Sequence, residues 1–291
     1  MNAAVTVFFL ILRVFSLYFL AVSLFGLCRR RTPEPAARHR RFAVLIAARN
    51  EESCIAGLIE SLRAQHYPPE LVDIWVLPNN CTDRTAEAAR RAGAQVLEMP
   101  ASVRSKGAAL HTAAKALLRS ARNYDAFCVF DADNEADPAF LSEMNRALDR
   151  TAIVKSRILA KNRTQAGISA CYEIYFCSAN HFLNRAREAV GLSARVIGTG
   201  FAIRRDLLEA LDGFPCRTLT EDAELYAACL CRGARIGYCE TAVTYDEEPV
   251  TWRASLVQRR RWMSGILQVA RLTLPELLAN FLRQPSLTCL D

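Results

Sequence analysis

Ala126-Phe-Cys-Val-Phe130-Asp131-Ala132-Asp133-Asn134 joins five apolar residues directly to two carboxylates spaced one residue apart. A run this short, bounded by polar residues, suits a strand covered on both faces better than a helix. The same punctuation recurs upstream. Residues 42–47 read as a buried strand, 52–64 show helical periodicity, and 71–77 form a second strand. A turn at 79–82 leads into a helix over 83–92, then a strand over 94–99 and a longer helix over 105–121. Strands alternating with helices predict an α/β fold, Rossmann-like, with a mostly parallel sheet and helices on both faces. Ligands of such sheets sit at the carboxyl ends of the strands. Polar clusters fall at three of those ends: residues 49–51, Asn79 with Asn80, and 131–133.

Beyond Pro138 the regularity weakens. Residues 165–189 read as a long helix, and 196–203 as a strand broken by Gly198-Thr-Gly200. Residues 223–232 and 252–272 are helical, and 274–282 have an amphipathic pattern. There is no GxGxxG and no GxxxxGK[ST], which disfavours ordinary dinucleotide and P-loop sites.

Three clusters carry chemistry. Asp131 and Asp133, where a strand gives way to a loop, can converge on a hard cation such as Mg²⁺ or Mn²⁺ that takes its other ligands from phosphates and water. The alternative is a turn in which each Asp bonds its own backbone. Thr220-Glu221-Asp222 precedes a helix; it reads either as an N-cap with an acid near the positive helix end, or as a general base at Asp222. Gln258-Arg-Arg-Arg261-Trp262 places an amide, a guanidinium and an indole at i, i+3 and i+4 of one helix. That face suits a phosphate clamp beside a ring-stacking surface, or else a solvated basic face with Trp262 in the core. Lys106 opens a helix where phosphate can be met, although a surface lysine fits the same position. His39, His66, His111 and His181 show no ligand spacing.

The chain has 291 residues, 52% hydrophobic and 23% charged, so a packed core is within reach. Its net charge of +7 is concentrated at residues 29–31, 38–41 and 259–261. That distribution suits an anionic membrane surface or a phosphorylated substrate, and no nucleic-acid signature accompanies it. Eleven scattered cysteines without a CxxC point to reduced thiols. Residues 3–27 are apolar except for Arg13 and are long enough to cross a hydrocarbon core of about 30 Å. Arg13 costs about 2.5–3.5 kcal/mol if it lies near the centre. Arg29-Arg-Arg31 follows the run and no Lys or Arg precedes Arg13, so the positive-inside rule turns the following domain towards the cytoplasm. The expected organisation is a transmembrane helix over 1–28, a basic juxtamembrane linker over 29–41, a catalytic domain over 42–272 and an amphipathic tail over 273–291. A buried core helix or an interfacial one is the alternative for the first segment.

The ordered set Ala48-Arg-Asn-Glu51, Asn80-Cys-Thr-Asp83, Lys106-Gly107, Asp131-Ala-Asp133, Gly198-Thr-Gly200, Thr220-Glu-Asp222 and Gln258-Arg-Arg-Arg-Trp262 resembles family 2 glycosyltransferases. Within that family it resembles the membrane-bound branch of cellulose, chitin, hyaluronan and poly-N-acetylglucosamine synthases. The resemblance implies a GT-A fold and an inverting, metal-dependent transfer of a hexose or N-acetylhexosamine from a UDP-sugar to a saccharide. It places Ala48, Asn50, Glu51 and Asn79 along the nucleoside, with Lys106 nearby. Asp131 faces the nucleotide, Asp133 the Mg²⁺ or Mn²⁺, Asp222 is the base, and Gln258, Arg261 and Trp262 hold the diphosphate and the acceptor end. Asp131 is a metal ligand with Asp133 in this reading.

Three departures from the family pattern bear on the expectations. Ala47 replaces a usual proline, and Asn79 replaces an aspartate that commonly contacts uracil. Processive members carry further membrane helices after the last motif, whereas the sequence to Asp291 has no second apolar span. The expectation is therefore a truncated sequence or an enzyme that is not a stand-alone polymer exporter, single-pass in the cell membrane, with membrane subunits as candidate partners. The competing readings are transfer to a lipid acceptor and a catalytically silent, nucleotide-binding membrane subunit. Nucleic-acid binding remains as a third, marked by salt-dependent affinity for RNA.

Overall fold

The computed structural model describes residues 3–28 and 35–283. Eight strands among the described residues form one sheet. They are β1 Phe42–Ala48, β2 Val72–Pro78, β3 Gln95–Val96, β4 Ala126–Asp131, β5 Glu135–Ala136, β6 Ile153–Ala160, β7 Phe201–Arg204 and β8 Ile236–Asp246, in the order β3-β2-β1-β4-β7-β6-β8-β5. The first half of this order is parallel, with β1 between β2 and β4. The second half is mixed. β7 runs antiparallel to both β4 and β6, while β6 and β8 are parallel with a register shift between Ser156 and Arg157.

Alternation along the central strands divides the core into two layers. Phe42, Val44 and Ile46 of β1 and Cys128 and Phe130 of β4 face one way, against Ile55, Leu58 and Ile59 of helix Ile55–Arg63. Ala43, Leu45, Phe127 and Val129 face the other, against Ala109, Leu110, Ala113 and Leu117 of helix Lys106–Leu118. Burying each of the larger side chains is worth about 1.5–3 kcal/mol, so the parallel core anchors the strand ends that follow it. Ser105 caps the second helix by accepting the Ala108 N–H at 3.1 Å, which fixes Lys106 at its first turn.

Helix Ala3–Leu24 stands apart from this core. Phe8, Leu10 and Leu17 are each more than half exposed, and no part of its apolar window is buried, so it is not a core helix. Among the described residues it is the one helix long and apolar enough to cross a membrane. It leads into the short turn Phe25–Leu27, where a Cβ on the buried Gly26 would come within 2.5 Å of the His181 carbonyl oxygen. Arg185 donates to the Cys28 carbonyl at 2.9 Å, fastening the same junction. The docking partner is the helical stretch expected over 165–189. It begins as helix Gly167–Ser178, widens into a π-helical segment Ala179–Arg185, and finishes as Ala186–Ala189.

Helix Trp252–Arg283 runs unbroken through Pro275, so residues 252–272 and 274–282 belong to one element. Residues 29–34 of the expected linker and 284–291 of the expected tail lie outside the described residues. None of the ten cysteines among the described residues is joined in a disulfide. Near its middle, Gly265 lets this helix approach the start of helix Glu221–Cys231. A Cβ there would fall 2.4 Å from Thr220 Cγ2 and 2.9 Å from Thr220 Cβ, on a buried, β-branched side chain with little room to turn. Gly265→Ala is therefore expected to cost about 1–3 kcal/mol of stability in denaturant unfolding despite its better helix propensity. An unchanged or raised midpoint would show that the two helices separate without cost.

Candidate active site

The first two strand ends build one wall. Ala48 ends β1 buried, and its carbonyl accepts the N–H of buried Asn79 at 2.9 Å, just past β2. Both following turns use asparagine in the left-handed region, Asn50 at φ 60° and Asn80 at φ 51°, a conformation asparagine tolerates. Asn50 Oδ1 accepts the Thr82 N–H at 2.8 Å, tying the two turns together. Asn80 donates to Asn79 Oδ1 and to the Val103 carbonyl. Glu51 donates its N–H to Thr85 Oγ1, and its carboxylate accepts from Cys54 Sγ at 3.1 Å. Ala48, Asn50, Glu51 and Asn79 thus share one rim.

At the third strand end, Lys106 Nζ lies 2.6 Å from Asp131 Oδ1, 3.0 Å from Glu221 Oε1 and 3.5 Å from the Gly198 carbonyl. Burial alone pulls the Lys106 ammonium down, but the Asp131 and Glu221 carboxylates outweigh it and leave the group well above its ordinary value. Asp222 Oδ2 accepts the Gly198 N–H at 2.6 Å. Asp131 and Asp222, 91 positions apart in the chain, therefore meet through one lysine and one glycine. Thr220 holds the N-cap position of the helix behind them, yet its side chain makes no cap bond.

Asn134, which immediately follows the paired aspartates, organises the floor. Its Oδ1 accepts the Asp131 N–H at 3.0 Å and the Thr199 hydroxyl at 2.5 Å. Its Nδ2 donates to Asp246 Oδ1 at 2.6 Å and Asp133 Oδ1 at 3.2 Å. Asp246, at the end of β8, is thereby brought to the acidic pair from a distant part of the sequence. Burial, followed by the Asp246, Asp131 and Glu51 carboxylates, pushes Asp133 up to about 8. Burial and Asp131 raise Asp246 to about 6, with Lys106 and Lys155 opposing them.

So much crowded negative charge fits a hard divalent cation, and oxygen donors suit Mg²⁺ or Mn²⁺. Among the described residues no three His, Cys, Asp or Glu side chains close around one point. An ion held by one or two carboxylates, with phosphate and water completing its shell, matches that incomplete set.

Glu248 lies under the same cluster, almost wholly buried, with Oε1 unpaired. Burial, then the Asp246 and Asp133 carboxylates, raises it from an ordinary value of 4.5 to about 8. A raised carboxyl favours the protonated folded state. Its stabilising share is full below about pH 4.5 and is lost as the pH climbs through about 8. Glu248→Gln, which cannot ionise, is expected to flatten that decline in thermal melting of the ligand-free protein. A slope identical to the parent's would remove Glu248 as its source.

Helix Trp252–Arg283 closes the far side. Gln258 Oε1 accepts the Tyr172 hydroxyl at 2.9 Å, and Trp262 meets the Tyr172 ring edge-on at 6.3 Å between centroids. Trp262 and Ile197, the residue before Gly198, both pack against the buried cluster of Ile158, Tyr172 and Phe176. Arg261 is exposed; with Arg253, Gln258, Pro249 and Thr251 it lines an open hollow of about 560 Å³. Along the helix face read from the sequence, Trp262 turns to Tyr172, Arg261 lies on the open side, and Gln258 joins the two, bonded to Tyr172 while lining the hollow with Arg261. The histidines lie elsewhere; His111, for example, pairs with the Phe214 carbonyl. Sequence reasoning passed over Glu221, Asn134, Thr199, Asp246 and Glu248. For Asn134 and Glu221 the signal was adjacency to the quoted aspartates, whereas Asp246 and Glu248 join only through the sheet.

The chain matches the model of a family described as "Glycosyltransferase like family 2" over residues 39–265. It is 27% identical over 237 residues to the probable glycosyltransferase YdaM of Bacillus subtilis (strain 168), covering 77% of this chain and 55% of that one. It is 26% identical over 233 residues to the beta-monoglucosyldiacylglycerol synthase of Synechocystis sp. (strain ATCC 27184 / PCC 6803 / Kazusa), covering 76% of this chain and 47% of that one. The chain therefore spans about half the length of these curated relatives. Among solved structures, it superposes on the mannosyltransferase PcManGT from Pyrobaculum calidifontis in complex with GDP-Man and Mn²⁺ with a TM-score of 0.70. That match has 20% identity and covers 89% of this chain and 71% of the other, a likeness of fold.

Proposed function

The chain belongs to glycosyltransferase-like family 2, and on that premise we propose an inverting, metal-dependent transfer of a hexose or N-acetylhexosamine from a UDP-sugar to a saccharide acceptor. The observation that carries this reading is the meeting of Asp131, Lys106 and Asp222 at the carboxyl end of β4. Ala48, Asn50, Glu51 and Asn79 would frame the nucleoside. Asp131 and Asp133 would hold Mg²⁺ or Mn²⁺, which when bound neutralises charge on the departing diphosphate. Asp222 would take the proton of the acceptor hydroxyl as that oxygen attacks the anomeric carbon. Lys106 would meet phosphate oxygen from the helix N-terminus. Gln258 and Trp262 would position the acceptor end, with Arg261 reaching the diphosphate from the open side. One in-line displacement inverts the anomeric centre, so an α-linked donor gives a β-linked product.

The membrane-bound synthase branch remains our reading of the subfamily, with the domain on the cytoplasmic side of the cell membrane and further membrane subunits as partners. A lipid acceptor is the second reading. It is favoured by the exposed apolar helix at the N-terminus and by a relative named for diacylglycerol glucosylation. Asn79 in place of an aspartate keeps the donor base open, and the solved mannosyltransferase carries GDP-Man.

The test incubates membranes carrying the full chain with UDP-glucose, UDP-N-acetylglucosamine and GDP-mannose in Mg²⁺ or Mn²⁺, following nucleotide release and product mass. Release of UDP with a water-soluble product supports the leading reading, and a product extracted into organic solvent supports the lipid one. UDP binding without release from any donor would favour a silent subunit.

A further inference from the structure

Lys155 occupies the middle of β6 and is 1% exposed, between the fully buried Val154 and Ser156. A buried strand position ordinarily carries an apolar side chain, because an ammonium taken out of water must recover its lost hydration. Lys155 recovers it from backbone rather than from a direct carboxylate partner. Its Nζ donates to the Thr199 carbonyl at 2.5 Å and, more weakly, to the Gly200 carbonyl at 3.4 Å.

Both carbonyls belong to the Gly198-Thr-Gly200 turn, whose two glycines lie at φ 61° and 63°. The turn is pressed close to the sheet, since a Cβ on Gly200 would stand 2.5 Å from Ser156 Oγ and 2.7 Å from Thr244 Oγ1. Its other side serves the candidate site. Gly198 donates to Asp222, Thr199 Oγ1 accepts the Asp131 N–H at 2.9 Å, and the Gly198 carbonyl faces Lys106. Burial draws the Lys155 ammonium down to about 7, while the nearby Asp246 and Asp222 carboxylates hold it up and Lys106 opposes it. A costly group, joined to the site through one turn, has a use beyond packing.

We propose that Lys155 is a positioning residue: from its place in β6 it anchors the Thr199 and Gly200 carbonyls, and through that turn it sets the Asp222 carboxylate and the Asp131 backbone. The inference rests on the reading of Asp222 as the base. Lys155 itself touches none of the groups assigned to substrate.

The test is a double-mutant cycle on the membrane-embedded full chain, with kcat and donor KM measured per folded molecule. Lys155→Met is expected to lower kcat about tenfold or more, as a misplaced catalytic group does, with donor KM held within about threefold. In an Asp222→Asn background the same substitution should change kcat by less than about twofold, because both changes disable one group. Lys155→Gln, which keeps an N–H for the turn, should retain more kcat than Lys155→Met. If the methionine variant does not fold, the glutamine variant carries the cycle. Unchanged kcat at position 155, or losses that multiply in the double variant, would overturn the positioning role while leaving the base intact. Full turnover by Asp222→Asn would overturn the base assignment, and this inference with it.

Discussion

Asp222→Asn is expected to lower turnover at least about a hundredfold, the ordinary scale for losing a general base, while donor affinity changes little. The substitution is close to isosteric. An asparagine oxygen can still accept the Gly198 N–H that Asp222 Oδ2 accepts at 2.6 Å, so the turn keeps its anchor. The amide lacks the basicity to take a hydroxyl proton at neutral pH. Because Lys106 bonds Asp131 and Glu221 directly, its contacts also survive the change. Turnover followed by nucleotide release, together with donor binding by calorimetry, separates the two effects. Equal losses in both would make Asp222 a binding group. Undiminished turnover would remove it from the mechanism.

The parallel half of the sheet was legible because β1, β2 and β4 are mostly apolar, Asp73 of β2 excepted, and because helices with their own periodicity separate them. β1, β2 and β4 and the helices between them fall where the pattern puts them, with ends differing by a few residues. The aspartates of β4 were legible for the same reason, since a strand buried on both faces makes its first polar residues conspicuous. β6 was not. Ile153-Val-Lys-Ser-Arg-Ile-Leu-Ala breaks its apolar run with the very lysine that the turn uses. β8 was hidden likewise by Glu240 and Thr241 at its register shift. The antiparallel insertion of β7 between β4 and β6 has no local signature, because pairing direction is settled by packing over long sequence separations. Asp246 and Glu248 were consequently invisible as site neighbours. Pro275 misled in the opposite direction: helix Trp252–Arg283 continues past it, supported by its packing against helix Glu221–Cys231.

The second large effect is expected at Asp133. Asp133→Asn should weaken Mn²⁺-dependent UDP binding at least about tenfold, the scale on which even supporting changes around a metal act. Yet it should not destabilise the ligand-free protein. In that state the Asp133 carboxyl, raised from 3.8 to about 8 by burial and by Asp246, Asp131 and Glu51, draws stability from its protonated form. That contribution is full below about pH 3.8 and is lost as the pH rises through about 8, so at pH 8 a neutral amide gives the folded state an advantage. The two expectations have opposite signs and are read in one experiment. At a hundredfold excess of ligand over Kd, UDP with Mn²⁺ stabilises the parent by about 2.7 kcal/mol. A domain of this size converts each kcal/mol into about 2–4 °C of melting temperature. Tenfold weaker binding removes about 1.4 kcal/mol of that gain. The variant should therefore melt at or above the parent without ligand and gain several degrees less when UDP and Mn²⁺ are added together. A variant that gains as much as the parent would place the cation elsewhere, and one that melts well below it without ligand would make Asp133 a structural carboxylate.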